Sequence, residues 1–196
     1  VPSGIAALVI TTSPFWLVFF ESMRPGGTKP TWRTILGLFI GFGGVFLLIG
    51  PSELTGGKGL QFDTWSTLAL IAAPVFWSMG SIYARGANMP KSTLMSTGMQ
   101  MLAGSVSLFV ISVVTGELNG FSLGDVSMRS WWGLLYLITF GSLIGFVSYG
   151  WLLHNAPIPL MSTYAYVNPV VAVFLGWLLA NEELNARIAF ATVIII

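Results

Sequence analysis

The sequence predicts an all-α protein, a polytopic transmembrane helix bundle, and three observations support this. Charged residues make up 8% of the 196 residues and hydrophobic residues 55%, whereas a soluble domain carries about 25% charged residues. The charges are clustered. They leave six long uncharged runs, each near the roughly 20 residues that an α-helix needs to cross a bilayer core. These runs cover residues 1–20, 34–52, 64–84, 92–116, 130–153 and 155–181.

The composition also excludes several classes of function. A net charge of +1 without a basic cluster predicts no nucleic-acid partner. The chain has no Cys and a single His, so we expect no metal site and no cofactor. A membrane-embedded enzyme would need a Ser/His, paired-acid or metal group inside a span, and His154 falls in a predicted loop. We therefore expect no catalytic residues and no enzymatic activity.

Six spans follow in order, at about 3–22, 32–50, 64–84, 92–115, 130–153 and 158–180. The loops between them are short and rich in Pro and Gly or charge, so the helices make up nearly all of the protein. The apolar run 188–196 is too short to cross a membrane. Because the chain also begins at Val1 and not at Met, we interpret the sequence as a fragment cut at both ends. In the second span, Gly37, Gly41 and Gly44 share one helical face, which favours close packing inside the bundle over a dimer seam.

The distribution of Lys and Arg predicts the orientation of the spans, because basic loops stay in the cytoplasm. The loops after spans one, three and five would then be cytoplasmic, and the first span would enter from outside. Those loops carry five basic residues against three in the other set. The five are Arg24, Lys29, Arg33, Arg85 and Lys91, and the three are Lys58, Arg129 and Arg187.

An internal repeat relates the first span to the sixth. Placing Pro14 on Pro169 also aligns Pro2 with Pro157 and two further identical residues. The predicted orientation makes these two spans run in opposite directions, as in transporters built from inverted repeats. Two ordinary proline-kinked helices remain the alternative.

The sixth span carries a specific resemblance. The stretch Thr163-Tyr164-Ala165-Tyr166-Val167-Asn168-Pro169, followed by Gly176-Trp177 and Asn181-Glu182, resembles the second-repeat signature of the EamA family in the drug/metabolite transporter (DMT) superfamily. Trp77-Ser78-Met79-Gly80-Ser81 is similar to the family's W-x-x-G-S/T segment. One departure is that Gly26-Gly27 stand in the first repeat where Asn181-Glu182 stand in the second.

This resemblance implies ten helices in two inverted five-helix repeats with cytoplasmic termini. The chain would then hold helices four to ten. Residues 1–50 would be the end of the first repeat, with two helices. Residues 64–196 would be the second repeat, with five helices of which the last is truncated.

Polar residues inside the spans are the candidates for a substrate cavity, because they are costly in lipid unless they face protein or water. Tyr164 and Asn168 lie four residues apart on one helical face, and Pro169 removes the donor for the carbonyl of Ala165. A solute site would use such a face. A kink stabilised by interhelical hydrogen bonds would use it equally well.

Further candidates lie on other spans, with helix packing as the alternative for each. Gln100 is the most polar residue well inside a span. Thr12, Ser13 and Trp16 mirror the Asn168 region in the first span. The remaining cavity candidates are Trp77, Ser81 and Tyr149, while Pro14 and Pro169 are the predicted helix kinks. Glu182 at the outer end of span six is assigned a structural role.

Together these features predict a transporter in a prokaryotic inner membrane that moves a small organic metabolite by alternating access. The family resemblance implies an amino acid or related compound, and export. No acidic residue lies in the middle of a span, so we expect facilitated transport unless coupling lies elsewhere in the protein. A non-transporting assembly or receptor subunit is the alternative function. The predicted partners are the substrate and the lipid bilayer, and a homodimer stays open.

Overall fold

The structure is a computed structural model that describes residues 3–49, 64–119, 122, 124, 126–180 and 186–195. In these ranges the regular secondary structure is entirely helical, and turns and short loops connect the helices. The elements in chain order are α1 (Ser3–Ile10), α2 (Ser13–Met23), α3 (Trp32–Ile49), α4 (Thr64–Gly86), α5 (Thr93–Thr115), α6 (Met128–Tyr136), the π-helix π1 (Leu137–Phe146), α7 (Val147–Asn155), α8 (Ile158–Ser162), α9 (Tyr164–Ala180) and α10 (Ala186–Ile195).

Six helical segments in the described ranges are long and apolar enough to cross a membrane. They are Ile5–Met23, Trp32–Ile49, Trp65–Gly86, Thr93–Thr115, Met128–Asn155 and Ile158–Leu175. Their positions agree with the six predicted spans, so the predicted all-α polytopic helix bundle is confirmed. The apolar helix Ala186–Ile195 is shorter.

The first span is not one continuous helix, because the chain turns at Thr11 and Thr12 between α1 and α2. Pro14 has no N–H, so the carbonyl of Ile10 loses its usual donor four residues on. The Ser13 hydroxyl donates to that carbonyl instead, at 2.6 Å. The Thr11 and Thr12 hydroxyls make equivalent bonds to the carbonyls three residues before them, at 2.7 and 2.6 Å. These local bonds stabilise the break at mid-span.

The sixth span also breaks, at Thr163 between α8 and α9. Pro169 lies within α9, six residues beyond that break, whereas Pro14 follows its own break by two residues. The two prolines therefore lie at different distances from the interruption in their spans. The sequence predicted a kink at each proline but did not predict where the helices would be interrupted.

Contacts divide the chain into two compact units. Unit 1 comprises Val1–Gly86 and Ala156–Ile196, and unit 2 comprises Ala87–Asn155. The predicted boundaries of the two sequence repeats, 1–50 and 64–196, remain a prediction.

Unit 1 is held together by α4 packing on α1 and α2, by α8 packing on α2, and by α3 packing on α1, α9 and α10. Its core contains the fully buried side chains of Leu17, Val45, Ile158 and Ala191. Glycine residues allow neighbouring side chains to pack closely against the backbone of helix α3. A Cβ added at Gly41 would lie 2.7 Å from the Tyr166 ring.

Two further glycines of α3 have different surroundings. A Cβ at Gly44 would lie 2.6 Å from the side chain of Ile195, whereas a Cβ at Gly37 would meet no atom within 4 Å. The three glycines on this face therefore differ in how closely other side chains pack against them.

The turn after α2 explains the departure from the family pattern at Gly26-Gly27. Gly26 has a φ of +77°, in the left-handed region that favours glycine. A Cβ on Gly27 would collide with the backbone carbonyl oxygen of Glu21. The acidic side chain that the second repeat carries at Glu182 therefore cannot be accommodated at Gly27 in this turn.

Unit 2 contains α5, α6, π1 and α7. Helix α7 packs on α5, where Gly150 leaves room for Thr97, whose Oγ1 would lie 3.1 Å from an added Cβ. The fifth span was predicted as a regular helix, but its middle is π-helical from Leu137 to Phe146. Gly141 and Gly145 lie in this segment, and glycine weakens the preference for regular α-helix.

Candidate functional site: an uncharged cavity between α1, α3 and α9

A cavity of about 410 Å³ lies within unit 1, between α1, α3 and α9. From Tyr164 to Val173 its wall follows α9 over ten residues, which span about 13 Å at a rise of 1.5 Å per residue. Its lining residues are Ala7, Ile10 and Thr11 of α1 and the turn after it, Leu48 and Ile49 of α3, and Tyr164, Ala165, Asn168, Pro169, Ala172 and Val173 of α9. Since α3 ends at Ile49, the cavity extends from the middle of the first span to the end of α3 that the charge distribution assigns to the outside.

Tyr164, Asn168 and Pro169 are the sequence candidates that line this cavity. They are joined by Ala165, whose carbonyl lacks a backbone donor because Pro169 follows four residues later. The polar face that the sequence placed on the sixth span therefore faces an open volume. A hydroxyl, an amide and a backbone carbonyl without its helical donor can all bind a solute there.

Trp77 on α4 is linked to this site through Tyr164. Its indole Nε1 donates a hydrogen bond to the Tyr164 Oη at 3.2 Å. The residues are 87 positions apart in sequence, so the bond connects two distant spans. Trp77 therefore holds the tyrosine side chain through a hydrogen bond from α4. Trp77 itself does not line the cavity.

Ser13 and Ser81 have structural contacts instead of cavity contacts. Ser13 is 3% exposed, and its carbonyl accepts a hydrogen bond from the buried Ser78 hydroxyl at 3.2 Å. Ser81 donates to the carbonyl of Trp77 at 2.7 Å. The helices that carry these residues, α2 and α4, pack together, and neither residue lines the cavity.

Thr12 and Trp16 also lie outside the lining. The Thr12 hydroxyl donates to the Val9 carbonyl. The Trp16 ring stacks on Phe20 with 6.2 Å between ring centroids. The mirrored first-span positions Thr12, Ser13 and Trp16 thus do not contribute to this cavity.

Gln100 and Tyr149 belong to unit 2. The Gln100 amide donates to the Ser96 carbonyl and contacts the Ser96 hydroxyl, both at 3.3 Å. The Tyr149 ring stacks on Phe146 at the end of π1, with centroids 6.1 Å apart. Each therefore has a partner only three or four residues away in sequence. Their role as cavity residues remains a prediction, and Glu182 lies outside the described residues.

Sequence reasoning missed Thr11, which lines the cavity and is 3% exposed. Its hydroxyl donates to the Leu8 carbonyl at 2.7 Å and keeps oxygen lone pairs for accepting a further bond. A search for polar residues on the α1 face would have found it. The repeat alignment drew attention to Thr12 and Ser13, the residues nearest to Pro14.

The electrostatics of the cavity are simple, because none of its lining residues carries a charge. Among the described residues there is also no group of three or more His, Cys, Asp or Glu that could hold a metal ion. Burying an ion in such a setting without a partner would be costly. The cavity therefore suits a solute without net charge that has an apolar part and a few hydrogen-bonding groups.

Comparison with known proteins identifies the family. The family model described as the EamA-like transporter family matches residues 64–196. The chain belongs to this family. The resemblance seen in the Thr163–Glu182 and Trp77–Ser81 segments is thereby confirmed. The EamA assignment favours a transporter over an enzyme, and it confirms a multi-pass membrane protein.

The chain is similar to curated proteins over nearly its whole length. The chain is 34% identical over 186 residues to the "Uncharacterized inner membrane transporter YedA" of Escherichia coli K12, covering 94% of this chain and 56% of that protein. It is 26% identical to the "WAT1-related protein At3g02690, chloroplastic" of Arabidopsis thaliana, covering 94% of this chain and 44% of that protein. The chain thus spans about half the length of these relatives. The inner-membrane location that the sequence predicts is the one that YedA's name states.

One solved structure has the same fold. A crystal structure described only as that of a protein superimposes with a TM-score of 0.73 over the whole of this chain and 65% of its own, at 22% sequence identity. This similarity supports the arrangement of the helices. It does not identify a substrate.

Proposed function

We infer that the protein to which this chain belongs exports a small organic metabolite, an amino acid or a related compound, across an inner membrane. The observation that carries this proposal is the uncharged cavity between α1, α3 and α9, lined by Tyr164, Asn168 and Thr11. A cavity with a few polar residues in its wall, inside a bundle of apolar spans, is the place where a solute would bind. The names of YedA and of the "Uncharacterized transporter YoaV" of Bacillus subtilis support transport across a membrane.

The volume and lining of the cavity define the substrate that we propose. A volume of about 410 Å³ lies within the range of small-molecule sites, about 300–1,000 Å³. Most of the lining is aliphatic, and the polar groups are one amide and two hydroxyls. A neutral or zwitterionic solute with an apolar side chain fits this combination.

The mechanism that we propose is alternating access around the broken helices. The first span is interrupted at Thr11 and Thr12, and the sixth at Thr163. Discontinuous helices at the binding site let one half of a span tilt while the other half stays packed. Thr11 is both a lining residue and part of a break, so its movement would change the shape of the cavity.

Flux measurements on the full-length protein in proteoliposomes test this proposal. Amino acids and uncharged organic solutes are screened first. Asn168→Leu is then compared with Val171→Leu. Val171 is an exposed residue of the same helix that does not line the cavity. We expect Asn168→Leu to lower the flux of a transported solute by about tenfold or more, because it removes hydrogen bonds worth about 1.5 kcal/mol, and Val171→Leu to retain flux.

Two results would count against the proposal. Equal flux in both variants would remove Asn168 from the site. An absence of saturable flux for every solute, in a protein that inserts and folds, would favour an assembly or receptor subunit. Measuring binding by thermal shift alongside flux separates loss of binding from loss of movement.

A further inference from the structure

The ends of three helices of unit 1 lie on the side that the loop charges assign to the cytoplasm. Helix α2 ends there at Met23, α4 ends at Gly86, and α8 begins at Ile158. Helix α2 packs on both α4 and α8. Within α8, Ile158, Met161 and Ser162 are each at most 3% exposed. The start of the sixth span is therefore enclosed by protein on this side.

Two arginines connect these helix ends. The Nη1 of Arg85, in the last turn of α4, donates a hydrogen bond to the carbonyl of Ala156 at 2.9 Å, two residues before α8. The Arg24 guanidinium lies against the last residue of α4, because a Cβ added at Gly86 would be 3.5 Å from the Arg24 Nε. A cation at the C-terminal end of a helix is favoured by the helix dipole. Both arginines therefore stabilise the packed arrangement.

Glu21 has the opposite effect. It lies on the buried face of α2 together with Leu17 and Val18, and it is 5% exposed. Among the described residues its Oε2 has no hydrogen-bond donor, and the Arg24 Nη1 lies 3.7 Å away, beyond hydrogen-bonding range. A buried carboxylate without complete pairing is costly. Because described residues already cover Glu21 almost completely, separating α2 from its neighbours would return this carboxylate to water.

The packed arrangement thus contains contacts that favour it and a buried charge that opposes it. Such a balance keeps a second, separated arrangement close in free energy. The break at Thr163 gives α8 a place to move, since α9 beyond the break packs on α3 and not on α2. A short helix that is joined to the rest of its span by a break can swing as a unit.

We propose that Glu21, Arg24, Arg85 and the Ala156 carbonyl form an inner latch, which is closed in this structure and opens when α8 separates from α2 and α4. Its role rests on the alternating-access mechanism proposed above, in which the cavity must reach the cytoplasm in a second state. The arginines hold the latch closed. The Glu21 carboxylate keeps the closed state from being too stable to open.

Cysteine labelling of the full-length protein in lipid nanodiscs, in a background without other cysteines, tests the latch. The reporter is Ser162→Cys, because Ser162 is 0% exposed and reacts with a polar maleimide only when α8 separates. We expect Arg85→Gln to raise the labelling rate by about tenfold, the factor for one hydrogen bond from a charged group. Arg24→Gln should raise it as well. The control is Arg33→Gln, an exposed arginine in the first turn of α3, which should stay within about twofold.

Glu21→Gln separates a latch from an ordinary structural ion pair. The amide keeps the shape of the side chain but removes the buried charge. We expect it to lower the labelling rate by about threefold or more, because burying an amide costs less than burying a carboxylate. A carboxylate that only stabilised the packing would give the opposite result, since its loss would loosen the helices.

A second reporter, Val45→Cys, detects general loosening. Val45 is fully buried on α3 and should stay unreactive in every variant. The proposal is overturned if Arg85→Gln labels like Arg33→Gln, if Glu21→Gln raises the rate, or if Val45→Cys becomes reactive together with Ser162→Cys. Labelling needs no substrate. A failure of the latch is therefore distinguished from a failure of the proposed transport, which the flux screen measures.

Discussion

The Trp77 Nε1 lies 3.2 Å from the Tyr164 Oη and donates a hydrogen bond to it. This bond joins α4 to the start of α9, immediately after the break at Thr163. Because Tyr164 also lines the cavity, the residue that joins α9 to α4 is also part of the wall of the candidate site.

We expect a double-mutant cycle of Trp77→Phe and Tyr164→Phe to show coupling. Hydrogen bonds between membrane helices contribute on average about 0.6 kcal/mol and up to about 1.7 kcal/mol. The coupling energy should fall in that range. Unfolding of the purified full-length protein in detergent by denaturant measures it.

The control cycle pairs Trp77→Phe with Tyr83→Phe. Tyr83 is exposed on the same helix as Trp77, two turns away. Additive effects in both cycles would show that the bond contributes nothing to stability. A coupling confined to the Trp77 and Tyr164 pair supports a role for Trp77 in holding the tyrosine.

Thr11 and Thr12 form a matched pair for testing the cavity. Both hydroxyls donate to a carbonyl three residues back, but Thr11 lines the cavity and Thr12 does not. Replacing either with Val keeps the shape and removes the hydroxyl. We expect Thr11→Val to raise the KM for a transported solute by about three- to tenfold, because one hydrogen bond is worth about 0.5–1.5 kcal/mol.

Thr12→Val should leave the KM within about twofold of the unsubstituted protein. The comparison removes the general effect of losing a hydroxyl at the helix break, which both variants share. If Thr12→Val raised the KM as much as Thr11→Val, the cavity would not be the solute site.

The positions of the spans could be predicted from the sequence, because charge is excluded from lipid in every sequence context. The polar face of Tyr164 and Asn168 was also predictable, since residues four apart share a helical face. The contribution of Thr11 to the cavity wall could not be predicted. It depends on where the chain breaks, and the break depends on hydroxyl-to-carbonyl bonds around Pro14.

Two further features could not be predicted from the sequence, for a different reason. They are the π-helix in the fifth span and the bond between Trp77 and Tyr164. Apolar periodicity does not distinguish α-helical from π-helical winding over ten residues. A bond between residues 87 positions apart requires the packing of α4 and α9 to be known. In both cases tertiary context decides the outcome.

Gly41 and Gly37, on the same helix, should respond in opposite ways to alanine. At Gly41 the new methyl group would lie 2.7 Å from the Tyr166 ring, whose hydroxyl is fixed by a 3.1 Å bond to the Leu38 carbonyl. Either the ring or the helix must move, so we expect Gly41→Ala to destabilise the protein by about 1–3 kcal/mol. At Gly37 the space is open.

We expect Gly37→Ala to be neutral or to stabilise the protein by up to about 1 kcal/mol, the helix-propensity difference between the two residues. Denaturant unfolding of both variants in one detergent gives the comparison. Equal stability of the two variants would contradict the close packing of Tyr166 on α3.

The opposite directions of the first and sixth spans can be tested by labelling two sites within unit 1. Thr28 follows the first span and Ala186 follows the sixth, and the loop charges predict that these positions lie in the cytoplasm and outside, respectively. Single-cysteine variants Thr28→Cys and Ala186→Cys, in a background without other cysteines, are treated with a membrane-impermeant maleimide on intact cells. We expect only Ala186→Cys to react until the membrane is permeabilised. Because inverted repeats require these spans to cross the membrane in opposite senses, reaction of both sites on intact cells would rule out the relation between Pro14 and Pro169. The cavity lined by Tyr164 and Asn168 would then have to be explained without a second, antiparallel copy of its helix.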